Sequence, residues 1–371
     1  MVDHVKQSDT VQQPRMATFW TIWIGQVFSL LGSSLVQFAL IWHLTRQTGS
    51  ATVLAAATLM GMLPQVVISP FAGALVDRWN RRRVMIAADS GIALATVALG
   101  LLFALGVAQI WHIYLLLFVR SVGGSFHFPA MQASTTMLVP ERHLSRIAGL
   151  NQGLYGLMNI VSAPLGALLL GLLPMQGILA IDVATAIIAA GTLLFVSIPQ
   201  PARSAEGDSA GQKSLLADVR EGLRFVWNWP GMLVIVLVAM LINLVTTPAF
   251  SLLPLLVTDY LNGGAFQLAW LETAFGIGVV AGGLLLGIWG GFRRRVATAM
   301  LALVVMGTAT VTLGLSPAVG LALAIGAFAA AGIAQPVANG SLFAVLQSVV
   351  PPEMQGRVFT IVASGAGAMA P

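Results

Sequence analysis

The sequence predicts an all-helical integral membrane protein built as two six-helix bundles, with ten complete spans and part of an eleventh in this chain. Three observations lead there. The first is composition: of 371 residues, 57% are hydrophobic and 8% charged, with a mean hydropathy of +0.89, whereas about a quarter of a soluble domain is charged. A water-soluble fold of this length could not hide so much apolar side chain, which excludes an ordinary soluble enzyme and a disordered chain. The second is a series of apolar runs, each near the ~20 residues that cross a bilayer as a helix. The third is an internal repeat relating the two halves of the chain.

Taken in order, the runs predict spans at Phe19–His43, Val53–Val76, Val84–Gly106, Ile110–Met131, Ile147–Leu173 and Ile178–Ile198. Four more follow at Met232–Thr258, Leu268–Gly291, Val296–Leu315 and Val319–Leu346. An eleventh segment starts at Val358 and reaches Pro371, too short to cross. A twelve-helix chain would run roughly 40 residues further. The expectation is therefore either a fragment or the product of a truncated gene, and a polypeptide of this length is expected to transport poorly or not at all, because the wall of its second bundle is incomplete. The first span follows 18 largely polar residues and lacks a small-residue cleavage site, so it reads as a retained helix and not a signal peptide.

Between the spans, basic residues are distributed on one side. With the N-terminus in the cytoplasm, inner segments carry Lys6 and Arg15, then Arg78 and Arg81 to Arg83, then Arg142 and Arg146. They also carry Arg203, Lys213, Arg220 and Arg224, then Arg293 to Arg295, and Arg357, or 16 of the 18 Lys and Arg residues. Only Arg46 lies outside, and Arg120 falls within a span. This asymmetry fixes orientation by the positive-inside rule. It accounts for the net charge of +5 as topology, leaving no reason to expect a nucleic-acid partner.

The stretch Pro199–Gln212 is rich in Pro, Ser, Ala and Gly and reads as a linker. After it, Leu215, Val219, Leu223 and Val226 recur at helical spacing, predicting a short amphipathic helix that ends at the interfacial Trp227 and Trp229. The chain thus divides into an N-terminal bundle (1–198), a cytoplasmic linker (199–229) and an incomplete C-terminal bundle (230–371). The repeat supports this division. Val139-Pro140-Glu141 with Arg146 precedes span five, and Val350-Pro351-Pro352-Glu353 with Arg357 precedes segment eleven about 212 residues later. Gly73 with Asp77-Arg78 and Arg81 to Arg83 after span two corresponds to Gly287 with Arg293 to Arg295 after span eight. Parallel repeats of this kind let two bundles rock about a midplane cavity.

Several chemistries are excluded. There is no cysteine, hence no disulfide, thiolate metal site or thiol catalysis. Neither of the two lysines, Lys6 and Lys213, sits in a phosphate-binding loop, so an ATPase is excluded and no cofactor or metal is expected. Uphill transport would draw on an ion gradient or on another subunit.

The most informative string is Gly73-Ala-Leu-Val-Asp77-Arg78-Trp79-Asn80-Arg81-Arg82-Arg83. It resembles the motif between helices two and three of the major facilitator superfamily, with Asn80 where glycine is usual; Asn tolerates a left-handed backbone. The resemblance implies that Gly73 permits close packing, that Asp77 faces the N-terminus of helix eleven, and that Arg81 pairs with nearby acids, together with Arg78 latching the cytoplasmic side. The alternative is that the arginines only fix topology.

Span four carries Arg120-Ser-Val-Gly123-Gly124-Ser125, similar to the buried-Arg motif of proton-coupled exporters with Gly123 in place of Gln. An arginine at mid-span costs about 2.5–3.5 kcal/mol on insertion scales and needs a partner. It implies a proton-coupling role, or else a structural Arg on backbone carbonyls. Span five holds Gly156, Ala163-Pro164-Leu165-Gly166 and Ala167, which resemble the antiporter motif of the same superfamily with two alanines for glycines. From Phe19-Trp20 through Gly25-Gln26 and Gln37-Phe38 to Leu63-Pro64 and Ser69-Pro70, the chain looks like the macrolide-efflux type of bacterial drug:proton antiporters.

The resemblance implies a bacterial inner-membrane secondary transporter, monomeric in the lipid bilayer, that exports a small amphipathic substrate in exchange for protons. Exporters of siderophores or endogenous metabolites, and a non-transporting membrane sensor or scaffold, are the alternatives. Candidate acids are Asp182 and Glu272, each about a turn from the outer surface where a solvated rim position competes, and Asp89, which could pair with Arg81 to Arg83. His127 could relay protons or be a lone histidine held by a hydrogen bond. Gln26, Gln37, Phe38, Asn151, Asn159 and Asn243 are cavity candidates.

Overall fold

The computed structural model describes residues 16–196, 198, 224 and 227–350. The predicted linker, its amphipathic helix and the segment from Val358 lie outside the described residues. Among the described residues ten long helices carry the fold: α1 (Met16–Thr48), α2 (Ala51–Arg78), α3 (Arg81–Ala104), α4 (Ile110–Leu138), α5 (Glu141–Leu172) and α6 (Met175–Phe195). They are followed by α7 (Pro230–Ser251), α8 (Ala265–Trp289), α9 (Arg295–Val319) and α10 (Leu321–Val349). Nine spans among the described residues are long and apolar enough to cross a membrane. The remaining helix, α4, has the length at 29 residues, but Arg120, His112, His127 and a glycine pair dilute its apolar character.

Side chains that tie helix ends together show which ends coincide. Arg82 at the start of α3 donates to the carbonyls of Leu193 and Leu194 at the end of α6, each at 2.6 Å. Arg295 at the start of α9 donates to Ala344 O near the end of α10 at 3.2 Å. At the other end of the bundle, Tyr114 Oη donates to Val53 O at 3.0 Å. The basic turns therefore share one face, the arginine-rich end. Around the middle, Leu94, Ile187, Leu241, Ile277 and Val304 are each more than half exposed, the apolar belt that lipid would cover.

Two expectations are corrected at the turns. Asn80 is not left-handed: at φ −70° and ψ 109° it is the N-cap of α3, its side-chain oxygen accepting from Arg83 N at 3.1 Å, because a helix start leaves amides that need an acceptor. Span seven is not continuous to Thr258. Pro248 and Pro254 remove backbone donors, so α7 ends at Ser251 and the chain continues through a short turn at Leu253–Leu255 and a π-turn at Leu256–Tyr260.

In the first half α1 packs on α5 and α6, α3 on α4 and α6, and α2 on α4; in the second, α10 packs on α8 and α9. The set α2–α4–α3 thus has its counterpart in α8–α10–α9, in line with the sequence repeat. Without a hydrophobic drive between helices in lipid, close contact depends on small residues. On α8, a Cβ at Gly278 would collide with Ala329 O and one at Gly282 with Ile333 O, so the backbones of α8 and α10 touch only because these are glycines.

The halves meet chiefly through α5 and α8. Thr273 Oγ1 donates to Ile160 O at 3.2 Å, and a Cβ at Gly276 would lie 2.9 Å from the Asn159 carbonyl. Apolar clusters that cross between halves join Phe38, Ala163 and Ala167 to Leu253, Val257 and Leu268, all toward the arginine-poor end. At the arginine-rich end each cluster among the described residues stays within one half: Phe19, Val76, Met85 and Leu138 in the first, Met232, Val236 and Leu346 in the second.

Candidate functional site

Four helices of the first half bring a buried ion pair to the wall of a cavity of about 530 Å³. Arg120 Nη1 on α4 lies 2.7 Å from Asp182 Oδ2 on α6, and Nη2 donates to Ser33 O on α1 at 2.9 Å. Ser33 Oγ donates to Asp182 Oδ1 at 3.1 Å. Thr96 Oγ1 on α3 sits 3.3 Å from Asp182 Oδ2 and 2.9 Å from Ile92 O, so its single proton serves one acceptor at a time. Asp182 is 2% exposed and Arg120 12%. Taking two such charges out of water costs several kcal/mol per ion, repaid only when geometry is good and the remaining lone pairs are bonded; both Asp182 oxygens meet that condition. The local sequence makes this possible. Gly32 lies against Thr185 and the Asp182 Cα, where any side chain would hold α1 away from α6 and Ser33 out of reach.

A second polar group lines the same cavity nearer the arginine-rich end. Gln26 Nε2 on α1 donates to Asp89 Oδ2 on α3 at 3.2 Å, while His127 Nε2 on α4 is 3.4 Å from Asp89 Oδ1. That separation is within ion-pair range but off hydrogen-bond alignment, and His127 Nε2 is buried with no hydrogen-bond partner among the described residues. Trp23 Nε1 donates to Asn151 Oδ1 at 2.7 Å, tying α1 to α5 along the wall.

Between the halves lies a cavity of about 480 Å³ lined by Gln37, Phe38, Asn159, Phe250, Glu272 and Phe275, among others. It adjoins a second space, of about 530 Å³, that Arg120 and Glu272 line from opposite halves together with Gln37. Phe250, Phe275 and Phe328 form an aromatic cluster with centroids 5.0–5.1 Å apart. Apolar walls with a few convergent polar groups, at a volume within ~300–1,000 Å³, are the composition of small-molecule sites. In the second half a smaller cavity of about 130 Å³ includes Asn243, whose amide also donates to Ala239 O at 2.9 Å. No group of three or more metal-ligating side chains occurs among the described residues.

The structure sorts the expected residues. Arg120 and Asp182 come together as a pair. Asp182 is not at a solvated rim: α6 starts at Met175, which sets the carboxylate about two turns deep, on the face toward α1, α3 and α4. Asp89 lies beside Gln26 and His127 instead of the arginines of the α2–α3 turn, because it is eight residues beyond Arg81 and faces the cavity. Glu272 lines the central spaces. Gln26 and Asn151 line the first-half cavity, and Gln37, Phe38 and Asn159 the central one. In α5, Gly156 approaches Val280 of the other half, where a Cβ would be 3.0 Å away; Ala163 is buried; Pro164 lies inside the helix; and Gly166 makes room for the Phe38 ring, 2.7 Å from where a Cβ would stand.

Of the helix two–three motif, Arg81 reaches Met137 Sδ and Ala133 O on α4, at 2.6 and 3.4 Å. The side chains of Gly73, Asp77 and Arg78 lie outside the described residues. Sequence reasoning missed Ser33 and Thr96. The signal available was their spacing, seven residues beyond Gln26 and Asp89 on the same faces.

Known proteins align with this architecture. The family description Major Facilitator Superfamily matches residues 22–371. Macrolide efflux protein A of Streptococcus pyogenes is 36% identical over 346 residues, covering 93% of this chain and 85% of that protein. Macrolide efflux protein A of Enterococcus faecalis is 35% identical, covering 85% of this chain and 97% of that one. The multidrug efflux pump Tap of Mycolicibacterium fortuitum is 28% identical over 92% of this chain and 83% of its own length. Among solved structures, the nucleoside transporter NupG superposes with a TM-score of 0.71 at 12% identity, covering 95% and 88% of the two chains. A bacterial homologue of the human lysosomal transporter Spinster gives 0.68 at 14% identity, covering 94% and 79%. Ten bilayer-length helices among the described residues, a repeat carried into the packing and relatives that are transporters and not enzymes lead to one conclusion: this chain belongs to the major facilitator superfamily and is a multi-pass membrane transporter.

Proposed function

We propose that this protein exports small amphipathic compounds of the macrolide or multidrug type from the bacterial cytoplasm in exchange for protons. It would act by alternating access, as a monomer in the plasma membrane with its N-terminus inside. The macrolide and multidrug efflux proteins it resembles support the substrate class and the direction. The observation that carries proton coupling is the Arg120–Asp182 pair, buried at 2.7 Å on the cavity wall. A proton on Asp182 removes the charge that balances Arg120. The guanidinium then turns toward the space it shares with Glu272 of the other half. Proton occupancy thereby changes the attraction between the two halves across the substrate cavity.

The apolar clusters that join the halves at the arginine-poor end, and those at the arginine-rich end that each stay within one half among the described residues, favour a cavity open to the cytoplasm. Rocking of residues 1–198 against 230–371 about the α5–α8 contact, with 199–229 as the connecting linker, would open the other side. In that state Gly73, Asp77, Arg78 and Arg81 latch the cytoplasmic end. Each charge moved down the membrane potential supplies about 2.3 kcal/mol per 100 mV, roughly 50-fold of concentration by the same arithmetic.

Everted vesicles from a host lacking its own pumps test the reading. Labelled erythromycin should accumulate when the lumen is acid, and nigericin should abolish the accumulation. Asp182→Asn at equal protein level should leave no gradient-driven component. Accumulation indifferent to the ionophore refutes proton antiport; gradient-driven accumulation of a siderophore or endogenous metabolite but not of erythromycin refutes the substrate class.

A further inference from the structure

Three helices each contribute to two polar layers seven residues apart. α1 gives Gln26 and Ser33, α3 gives Asp89 and Thr96, and α4 gives His127 and Arg120. Seven residues are about two turns, or ~10.5 Å along the axis. The layer nearer the cavity middle is Ser33, Thr96 and Arg120 around Asp182; the layer nearer the arginine-rich end is Gln26, Asp89 and His127. The first is electrically balanced by its own ion pair. In the second, a neutral imidazole leaves a net charge of −1 on a carboxylate that is 8% exposed.

The second layer is also the incomplete one. Gln26 serves Asp89 Oδ2 and leaves Oδ1 to His127, yet His127 Nε2 has no aligned partner and is buried. A buried polar nitrogen without a partner calls for an explanation, and imidazole is the side chain whose charge ordinarily changes between about pH 5 and 8. The other titratable or charged groups facing this cavity are Arg120 on α4, Tyr155 on α5 and Asp182 on α6. α1 offers amides, hydroxyls and the Trp23 indole there but no charged group, and α2, packed along α4, offers no charged group among its described side chains. Arg81 of α3 is engaged further along, at Ala133 O and Met137 Sδ.

We propose that Asp89 and His127 form a second proton-carrying station, two helical turns closer to the arginine-rich mouth than the Arg120–Asp182 pair. His127 takes one proton from cavity water, and the imidazolium N–H donates to Asp89 Oδ1 while Gln26 keeps Oδ2. The N–H bond forms as an O–H bond of a hydronium ion in that water breaks and leaves a water molecule, and the layer passes from −1 to neutral. Release returns the proton to water at the mouth. At ~10.5 Å the two layers are too far apart for direct transfer, so protons pass between them through cavity water. The part this station plays in transport rests on the antiport reading above; its proton binding does not.

The five histidines, His4, His43, His112, His127 and His143, make a tractable imidazole spectrum. The full chain, isotope-labelled at histidine and purified in detergent, is titrated by NMR from about pH 5 to 8.5. One titrating resonance should vanish in His127→Gln, and its midpoint should change in Asp89→Asn. A His127 signal that does not titrate, or that keeps its midpoint without Asp89, overturns the proposal. In proteoliposomes, His127→Gln should flatten the pH profile of gradient-driven erythromycin transport. Erythromycin counterflow, which needs no net proton movement, should stay within about twofold and report intact folding and binding. A titrating His127 with an unchanged pH profile in His127→Gln refutes its part in transport. Wild-type transport with no proton movement refutes the antiport reading and that part together, while the NMR result still decides the pair.

Discussion

Neutralising one member of the Arg120–Asp182 pair should destabilise the protein more than neutralising both. The two side chains are 12% and 2% exposed and meet at 2.7 Å, so solvent screening is slight. Removing one partner of a buried pair costs about 3–5 kcal/mol, because it strands the other charge. In Asp182→Asn the amide oxygen still accepts from Ser33 or Arg120, which places the single variant near the low end, about 3 kcal/mol; Arg120→Gln strands Asp182 with the hydroxyls of Ser33 and Thr96 and costs a similar ~3 kcal/mol. The double variant strands nothing and loses only hydrogen bonds, about 1–3 kcal/mol in all. The cycle should therefore show a coupling of about 3–5 kcal/mol, at or above the upper edge of what contacting residues give. Unfolding of the purified protein in mixed detergent micelles, followed by tryptophan fluorescence, measures each corner. Additive singles, with coupling below about 0.5 kcal/mol, would refute the pairing.

Three further outcomes follow from contacts elsewhere. Gly276→Val places side-chain carbon where a Cβ already lies 2.9 Å from the Asn159 backbone; overpacking of this kind costs about 1–3 kcal/mol, and thermal unfolding together with vesicle transport should both fall, whereas wild-type behaviour would remove the α5–α8 contact from the account. Asn80→Ala loses the N-cap of α3 and should lower stability by about 1 kcal/mol, read by the same unfolding assay, with Asn80→Gly costing only a few tenths. Glu272→Gln should depress gradient-driven transport while sparing counterflow; equal loss of both would make Glu272 a substrate contact and not part of the coupling.

The spans were legible because lipid leaves a chain little choice: every backbone polar group must be bonded within a helix, so ~20 apolar residues mean a crossing. Helix ends were less so. Asn80 suits both a left-handed turn and an N-cap, and only the position of the Arg83 amide decides between them. The break after Ser251 was signalled by Pro248 and Pro254, but prolines are tolerated inside other helices here, as Pro129, Pro164 and Pro336 show. For the site, Arg120 stood out by its cost in a span. Its partner did not, since Asp182 seemed one turn deep until α6 proved to begin at Met175. Ser33 and Thr96 carry no charge and no motif, and became significant only through the acid they bond. Asp89 was misplaced by proximity in sequence to three arginines, when helical phase turns it toward α1 and α4.

The central claim, that proton occupancy of this charged wall drives export, is tested most directly by watching both species at once. Proteoliposomes holding the full chain and a trapped pH dye, given an erythromycin gradient and no imposed pH difference, should show proton movement opposite to erythromycin. The proton signal should be lost in Asp182→Asn while erythromycin counterflow continues. Erythromycin moving down its gradient without a pH change in the wild type, or protons moving undiminished in Asp182→Asn, would contradict the account.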